Sequence, residues 1–363
     1  MVVLIPSYRR TNTLPHVVQS VLNADVSNIE DRILILIVNN YYPNQMIVDN
    51  IVGELNLGSR FTCKVIHRKE TMIALESWFE ALFSIAYEDE VVFLLGDDDI
   101  LLPWGLKNRY HQIKNTQSDM LISDFYKNLV FFQSSSKYYF DSSVLGRSSD
   151  NVKTPIEWDY QIDKHPESSF ISNHCYRNTT SLRRGYKAAM GWGYKQSYAP
   201  QEFSTGNCPL YMPYAIKLAG GRVFSMRQKN VIRGRNFEET LYQEYADGGN
   251  TSFYALLIYD TFFNTLSHQG LAEFKEISKR YKNVFICHVI SIAFNANISF
   301  EVFFKAIRET GISLRALFSK YIFCNIFDIL REIPFFKSYG LKRYVRQGRL
   351  KSTSGFIKFI SKL

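Results

Sequence analysis

Residues 91–99 read Val-Val-Phe-Leu-Leu-Gly-Asp-Asp-Asp, an apolar run that stops at a glycine and three consecutive carboxylates. An uninterrupted apolar run of this length is typical of a strand buried on both faces of a parallel sheet. Ligands of such sheets bind outside the carboxyl ends of the strands. The carboxylates of Asp97, Asp98 and Asp99 repel one another unless a cation or hydrogen-bond donors offset their charge. Ligands of this type favour Mg²⁺ or Mn²⁺, and the alternative is a solvated acidic turn or a helix N-cap.

Strands and helices alternate around this stretch over about the first 125 residues. The predicted strands are the apolar runs at 2–5, 33–38 and 91–95, with the segments 60–67 and 120–123 as further strands. The predicted helices, where apolar residues recur at helical spacing, are 14–22, 72–85 and one that begins near Pro103. This order predicts an α/β fold with a doubly wound, mostly parallel sheet flanked by helices.

Two polar segments follow other predicted strands at the same edge of the sheet. The first is the loop Ile5-Pro6-Ser7-Tyr8-Arg9-Arg10, and the second is Asn39-Asn40 after the second strand. A short loop there can present main-chain groups, an aromatic ring and a guanidinium to a nucleotide, and an asparagine can pair with a base edge. Taken singly, an ordinary strand-to-helix turn and a turn-forming asparagine are the simpler interpretations. Their common position with the aspartates favours a ligand site.

Composition limits the class of protein. The chain has 363 residues, 46% of them hydrophobic, which is enough for a sizeable core. We expect no membrane-spanning helix, because no apolar stretch reaches about 18 residues. An apolar run begins directly after Met1, so we expect no signal peptide and a protein made in the cytosol. The 5 cysteines are widely spaced without a C-x-x-C, which fits a reducing compartment rather than a disulfide framework or zinc ribbon.

Positive charge is concentrated at the C-terminal end. The net charge is +9, and residues 333–363 contain eight lysines and arginines and no acidic residue. A nucleic-acid-binding protein would spread its charge over a folded face, so we expect no nucleic-acid partner. From about residue 314 an amphipathic pattern leads into this basic end, which suits the surface of an anionic membrane leaflet. A solvated helix and a helix that packs on a partner protein are the alternatives.

The order and spacing of these segments resemble those of the inverting family 2 glycosyltransferases with the GT-A fold. The resemblance is carried by residues 2–10 and the helix after them, by Ile-Val-Asn-Asn at 37–40, and by VVFLLGDDDILLP at 91–103. It covers about the first 110 residues and is looser at Gly-Trp-Gly-Tyr 191–194, Gln-Glu-Phe 201–203 and 231–236. It implies a Rossmann-like α/β domain over 1–236, with a nucleotide-binding half at 1–125 and an acceptor-side half at 126–236. Residues 237–363 would form a helical C-terminal extension.

The function that this resemblance implies is metal-dependent, inverting sugar transfer. The donor would be a nucleotide-diphosphate sugar and the acceptor a hydroxyl of a glycan, which the basic tail suggests is lipid-linked. Mn²⁺ or Mg²⁺ would be the cofactor. The implied process is bacterial surface polysaccharide biosynthesis, such as that of O-antigen or capsule. The implied location is cytoplasmic, peripheral on the cytoplasmic face of the inner membrane.

Individual roles can be carried over to matching positions. The residues implied to bind the nucleotide sugar are Pro6, Ser7, Tyr8, Arg10, Asn39, Arg68, Asp97, Asp98, Arg233 and Arg235. Asp97 and Asp99 form the D-x-D motif and are the implied metal ligands, Asp99 the more direct one. Asn39 is a departure, because the family usually has an aspartate that contacts the base there. Arg233 and Arg235 resemble the basic loop that closes over the diphosphate.

The catalytic base is implied to be a carboxylate roughly a hundred residues beyond the D-x-D motif. Glu202 has about this spacing, and Asp163 is the alternative. The family usually places an aspartate directly after the glutamate, whereas this chain has Phe203. A glycosyltransferase-like domain without turnover therefore stays a competing interpretation. A nucleotidyltransferase is disfavoured, because the loop PSYRRTN at 6–12 lacks the glycines that usually hold a triphosphate.

Overall fold

A computed structural model describes residues 1–132, 138–140, 154–158, 171–194 and 208–236, together with Phe304, Arg308, Ser313 and Arg315. The chain divides into two compact units, 1–195 with 205–238 and 196–204 with 239–363. In the second unit the description is limited to the four single residues, of which Phe304, Arg308 and Arg315 are helical. The predicted boundary at 236 and the helical extension beyond it stay predictions.

The first unit is built on one mixed sheet with helices. Its described strands are β1 (Val2–Ser7), β2 (Ile33–Asn39), β3 (Phe61–His67), β4 (Val91–Leu94), β5 (Ile100–Leu101), β6 (Met120–Phe132), β7 (Tyr138–Phe140), β8 (Ile156–Glu157), β9 (His174–Arg177) and β10 (Val223–Asn236). Its described α-helices are α1 (Leu14–Leu22), α2 (Gln45–Gly53), α3 (Ala74–Ile85), α4 (Gly105–Thr116), α5 (Thr180–Tyr194) and α6 (Cys208–Leu218). The strand order is β3-β2-β1-β4-β9-β6-β10-β5, with β7 paired to β6 and β8 to β10.

The predicted parallel half is confirmed. β3, β2, β1 and β4 pair in parallel, and every residue of β1 and β4 is buried, as their apolar runs indicate. On α1 the buried face is made of Leu14, Val17, Val18 and Val21, the residues whose spacing predicts that helix. These side chains belong to one core cluster with the apolar residues of β1, β2 and β4. The α/β fold class inferred from the sequence is correct.

The position of β1 between two parallel partners assembles the polar edge. Ser7 pairs with Asn39 on β2, and Leu4 pairs with Leu94 on β4. All three strands run in the same direction, so the loop after β1, the turn after β2 and the aspartates after β4 emerge side by side. The sequence-based expectation that these segments share an edge is therefore confirmed by the strand register.

The strands beyond β4 no longer all run in the same direction. β9 is antiparallel to both of its neighbours, β4 and β6, whereas β6 and β10 run parallel to each other. β10 is 14 residues long and was not predicted, because its sequence VFSMRQKNVIRGRN lacks an apolar run. Its backbone nevertheless pairs with β5, β6 and β8. Pairing on both edges stabilises a strand that its own residues do not indicate.

Three helices also lie where the sequence pattern does not predict them. α5 contains three glycines and α6 contains Pro213, both of which count against a helix in an isolated sequence. The two helices pack so closely that a Cβ at Gly185 would lie 2.8 Å from the Ile216 side chain, which explains one of the glycines. α2 buries only Val48 and leaves Met46 76% exposed, so it lacks the apolar stripe of a core helix.

Candidate functional site

The site is centred on Gly96–Asp99, which we call the aspartate turn. The Gly96 N–H donates to Ser172 Oγ at 2.7 Å, and the Ser172 hydroxyl donates in turn to Asp99 Oδ2. Asp99 is only 2% exposed. A Cβ at Gly96 would lie 2.6 Å from Asp99 Oδ2 and 3.3 Å from Ser172 Oγ, so the turn requires glycine here. Ser172 was not predicted, and no spacing in the sequence links it to a residue 76 positions earlier.

Asp97 fastens the aspartate turn to the loop after β1. Its Oδ2 accepts the Tyr8 N–H at 3.1 Å, and its Oδ1 accepts from Arg10 Nη1 at 3.0 Å. The Thr13 hydroxyl donates to the main-chain carbonyl of Asp97. Both carboxylate oxygens of Asp97 are therefore engaged with the first loop, and two segments almost 90 residues apart form one structural unit.

Arg10 contacts a second carboxylate as well. Its Nη1 lies 3.0 Å from Asp98 Oδ2, and its side chain is 20% exposed. Burial opposes the charged form of Arg10, but Asp97 and Asp98, with a smaller contribution from Asp99, outweigh burial and raise its pKa. Burial raises the pKa of Asp97 to about 6, and Asp98 adds to this, while Arg10 and the Tyr8 N–H oppose it. The three carboxylates of the turn thus outnumber the one arginine that is paired with them, in a poorly solvated place.

A second buried arginine is close enough to the turn for Asp99 to affect its pKa. Arg109 on α4 is 1% exposed, and among the described residues nothing accepts from its Nε or Nη2. Its Cζ lies 6.0 Å from the centre of the Phe93 ring on β4. Burial lowers the pKa of Arg109 to about 10, and Cys175 and Asp99 oppose that shift. Sequence reasoning missed Arg109, although its spacing of three residues from the buried Leu106 places it on the apolar face of α4.

Aromatic rings lie at the carboxyl ends of β1 and β2. The Tyr8 and Tyr41 rings meet edge to face with centroids 5.6 Å apart. The guanidinium carbon of Arg9 lies 5.1 Å from the Tyr8 centroid and 4.8 Å from the Tyr41 centroid. Arg9 has a φ of 62°, in the left-handed region that non-glycine residues rarely adopt. Adjacent arginines therefore point to different partners: Arg9 to the rings and Arg10 to the aspartates.

Asn39 is committed to contacts within the fold. It is fully buried, its Nδ2 donates to His67 Nδ1 at 3.1 Å, and its Oδ1 accepts the Tyr41 N–H at 3.2 Å. His67 Nε2 lies 2.9 Å from Asp49 Oδ1 on α2. The asparagine therefore shapes the turn after β2 and holds Tyr41 beside Tyr8.

Arg68 is held against α3. Its Nε donates to Ser77 Oγ at 3.2 Å, its Nη2 donates to the Ser77 carbonyl at 2.7 Å, and its Nη1 lies 3.6 Å from Glu80. The backbone of Arg68 follows β3 and donates to the Asn39 carbonyl, so the residue does border the site. Its guanidinium, however, is engaged by the helix.

The remaining predicted residues are described in part or not at all. Pro6 and Ser7 are buried in β1, and Arg233 and Arg235 lie on β10, where the description is limited to the backbone. Both candidate bases, Glu202 and Asp163, lie outside the described residues, and so does the basic tail. Within the described ranges, no group of three or more His, Cys, Asp or Glu side chains is arranged to hold a metal ion. No helix among them is long and apolar enough to cross a membrane.

Solved structures with the same fold include S. aureus TarS and a mannosyltransferase. The chain aligns over 98% of its length with S. aureus TarS at a TM-score of 0.52 and 13% identity, and it spans 55% of that protein. It aligns over 98% of its length with S. aureus TarS 1-349 in complex with UDP-GlcNAc, covering 88% of that chain, at a TM-score of 0.53 and 12% identity. The chain also aligns with the mannosyltransferase PcManGT from Pyrobaculum calidifontis in complex with GDP-Man and Mn²⁺. This alignment covers 99% of this chain and 87% of PcManGT, with a TM-score of 0.51 and 9% identity.

At these identities the likeness concerns the fold. It confirms the Rossmann-like GT-A fold expected from the sequence. No protein-family model and no curated protein matches the chain.

Proposed function

We propose that this chain is a glycosyltransferase whose donor is a nucleotide-diphosphate sugar. The observation that carries the proposal is the aspartate turn, which lies at the carboxyl end of β4 and is bonded to the loop after β1. This is the edge where ligands of open α/β sheets bind. TarS and PcManGT, which share the fold, bind UDP-GlcNAc and GDP-Man, and these ligands support the donor class.

The ligand chemistry of the turn suits a small hard cation, although its three carboxylates do not converge as a three-ligand group among the described residues. Three carboxylates lie within Gly96–Asp99, and oxygen ligands that leave positions for substrate phosphates suit Mg²⁺ or Mn²⁺. Asp99 is our first choice as ligand and Asp97 the second, and the Asp98 side chain, 19% exposed, lies next to both. The Mn²⁺ bound by PcManGT supports a divalent cofactor. When bound, the cation would offset the negative charge that develops on the leaving diphosphate.

The chain's own residues would bind and orient the donor. Tyr8 and Tyr41, whose rings meet edge to face, would contact the base, and Pro6, Ser7 and Asn39 would support the segments that carry these rings. Arg233 and Arg235 on β10 would add positive charge near the diphosphate. Charges fixed in place before the reaction stabilise a developing anion without reorganising solvent.

The acceptor side follows from the inverting reaction that we propose. A carboxylate opposite the leaving group, Glu202 or else Asp163, would take the proton of the acceptor hydroxyl as the new bond forms, a contribution of about 10²–10⁴-fold. Direct displacement by that oxygen inverts the anomeric centre, so no covalent bond to the enzyme is needed. We propose a lipid-linked glycan acceptor of surface polysaccharide synthesis (O-antigen or capsule), reached by peripheral contact of the basic tail with the cytoplasmic face of the inner membrane.

Calorimetry tests the donor site. UDP and GDP are titrated into the protein with Mn²⁺, with Mg²⁺ and with EDTA. We expect one diphosphate to bind only with the metal, and Asp99→Ala to abolish that binding while the far-ultraviolet circular dichroism is retained. Asp25→Ala is the matched control, because Asp25 is a surface carboxylate paired with Lys107 and not part of the turn. Absence of binding to either diphosphate under all conditions would contradict the proposal.

A further inference from the structure

Arg10 pairs with the carboxylates of the aspartate turn, although its role in the proposed function is to bind the nucleotide sugar. A single nitrogen, Nη1, lies 3.0 Å from Asp97 Oδ1 and 3.0 Å from Asp98 Oδ2. The guanidinium thereby pairs with two adjacent carboxylates at once and offsets one of their two charges. Charge-assisted hydrogen bonds of this kind are the strong ones, and these are largely shielded from water.

Both carboxylate oxygens of Asp97 already accept a hydrogen bond while Arg10 stays in place. Its Oδ2 is bonded to the Tyr8 N–H, and its Oδ1 is bonded to Arg10. A divalent cation that takes Oδ1 must either replace the guanidinium or lie beside another positive charge in a poorly solvated site, where like charges repel strongly. Replacement follows from space, since a cation bound to Asp97 Oδ1 on the side that faces Asp98 would occupy the place of Nη1, which lies 3.0 Å from both Asp97 Oδ1 and Asp98 Oδ2.

We propose that Arg10 is a resident counter-cation of the aspartate turn, that a divalent cation must displace it, and that the displaced guanidinium then binds the diphosphate of the donor. The inference rests on the proposed function. A guanidinium that loses two carboxylate partners can donate instead to two oxygens of the negatively charged diphosphate. Metal and nucleotide binding are then positively coupled. The metal releases Arg10 for the diphosphate, and the diphosphate binds the guanidinium that the metal has to displace.

Arg9 provides the matched control. It precedes Arg10 in the same loop and carries the same charge, but its guanidinium lies over the rings of Tyr8 and Tyr41 rather than at the carboxylates. Arg9→Gln and Arg10→Gln change the net charge equally. A general effect of charge on metal binding would be the same in both variants, whereas displacement is specific to Arg10.

The test is Mn²⁺ binding without nucleotide, followed by the electron paramagnetic resonance signal of free Mn²⁺. We expect Arg10→Gln to bind Mn²⁺ about tenfold or more tightly than wild type, within the range usual for coupled sites. Arg9→Gln and Arg10→Lys should stay close to wild type. Saturating UDP or GDP should tighten Mn²⁺ binding to wild type and do so much less in Arg10→Gln.

A second measurement needs no variant. Phenylglyoxal modification of arginine, located by fragment mass spectrometry, should be faster at Arg10 when Mn²⁺ is present and unchanged at Arg9. Equal Mn²⁺ affinity of Arg10→Gln and Arg9→Gln, or an unchanged rate at Arg10, would overturn the inference. If wild type still binds Mn²⁺ with a nucleotide, the proposed function survives that result. If wild type binds no Mn²⁺ even with UDP or GDP, both the inference and the metal-dependent function are wrong.

Discussion

Replacing Gly96 by alanine should separate Asp99 from Ser172. The new methyl carbon would lie 2.6 Å from Asp99 Oδ2, whereas ordinary contact begins near 3.4 Å. The carboxylate must therefore retreat by about 0.8 Å, because the repulsion between non-bonded atoms rises steeply at shorter distance. Ser172 cannot follow it, since its hydroxyl is bonded to the Gly96 N–H and would itself be 3.3 Å from the methyl.

The expected cost follows from what is lost. A hydrogen bond to a charged group contributes about 1.5–3 kcal/mol, and the buried Asp99 carboxylate would keep one donor fewer. We expect the free energy of unfolding to fall by about 2 kcal/mol. Ser172→Ala removes the same hydrogen bond from the other side, so the double variant should lose little more than either single one.

Urea denaturation with linear extrapolation measures these differences. Gly53→Ala is the control, because a Cβ at Gly53, the last residue of α2, would have no atom within 4 Å. Its free energy of unfolding should be unchanged or raised by up to about 1 kcal/mol. The reasoning is refuted if Gly96→Ala is as stable as Gly53→Ala, or if the costs of Gly96→Ala and Ser172→Ala add in full.

Three further predictions concern charge and turnover. Arg109→Met should leave the free energy of unfolding unchanged or raise it by about 1–4 kcal/mol in urea denaturation, because it replaces a buried charge, two of whose nitrogens lack an acceptor among the described residues, with an apolar group. A clear loss of stability would contradict this prediction. Since the pKa of Asp97 is raised to about 6 from 3.8, its protonation stabilises the native state below pH 4, and about 3 kcal/mol is lost as the pH rises through 6. Asp97→Asn should remove that part of the pH dependence, and an identical profile in the variant would contradict it. Glu202→Gln should keep diphosphate binding in calorimetry but lower sugar transfer by about 10²–10⁴-fold; normal turnover would exclude Glu202 as the base.

The parallel half of the fold could be predicted because strands that are buried on both faces have continuous apolar sequences. Val2–Ser7 and Val91–Leu94 are fully buried, and the apolar residues at 2–5 and 91–94 are recognisable in the sequence. α5 and α6 have no comparable sequence pattern, because their glycines and Pro213 are tolerated through packing between residues about 30 positions apart. Local propensity is a weak guide wherever tertiary contact determines the outcome.

The candidate site divides in the same way. The aspartates and the first loop could be found because each directly follows a strand that the pattern indicates. Ser172 could not, since a single serine has no distinguishing neighbours and acts only through the hydrogen bonds that the fold gives it. Arg109 could have been suspected, because an arginine in register with the apolar residues of α4 is unusual. That its Nε and Nη2 lack an acceptor among the described residues is visible only in three dimensions.

The central place of β1 has a consequence for biosynthesis. A ribosome releases this strand before either of its partners, since β2 begins at residue 33 and β4 only at residue 91. Until both have emerged, the nascent chain presents an apolar strand with two open edges, which is a template for unwanted association with other chains. The loop with Tyr8 and Arg10 cannot be fixed by Asp97 before that point either. We therefore expect the newly made N-terminal segment to need shielding by a chaperone, and the site to become competent only after the aspartate turn has left the exit tunnel.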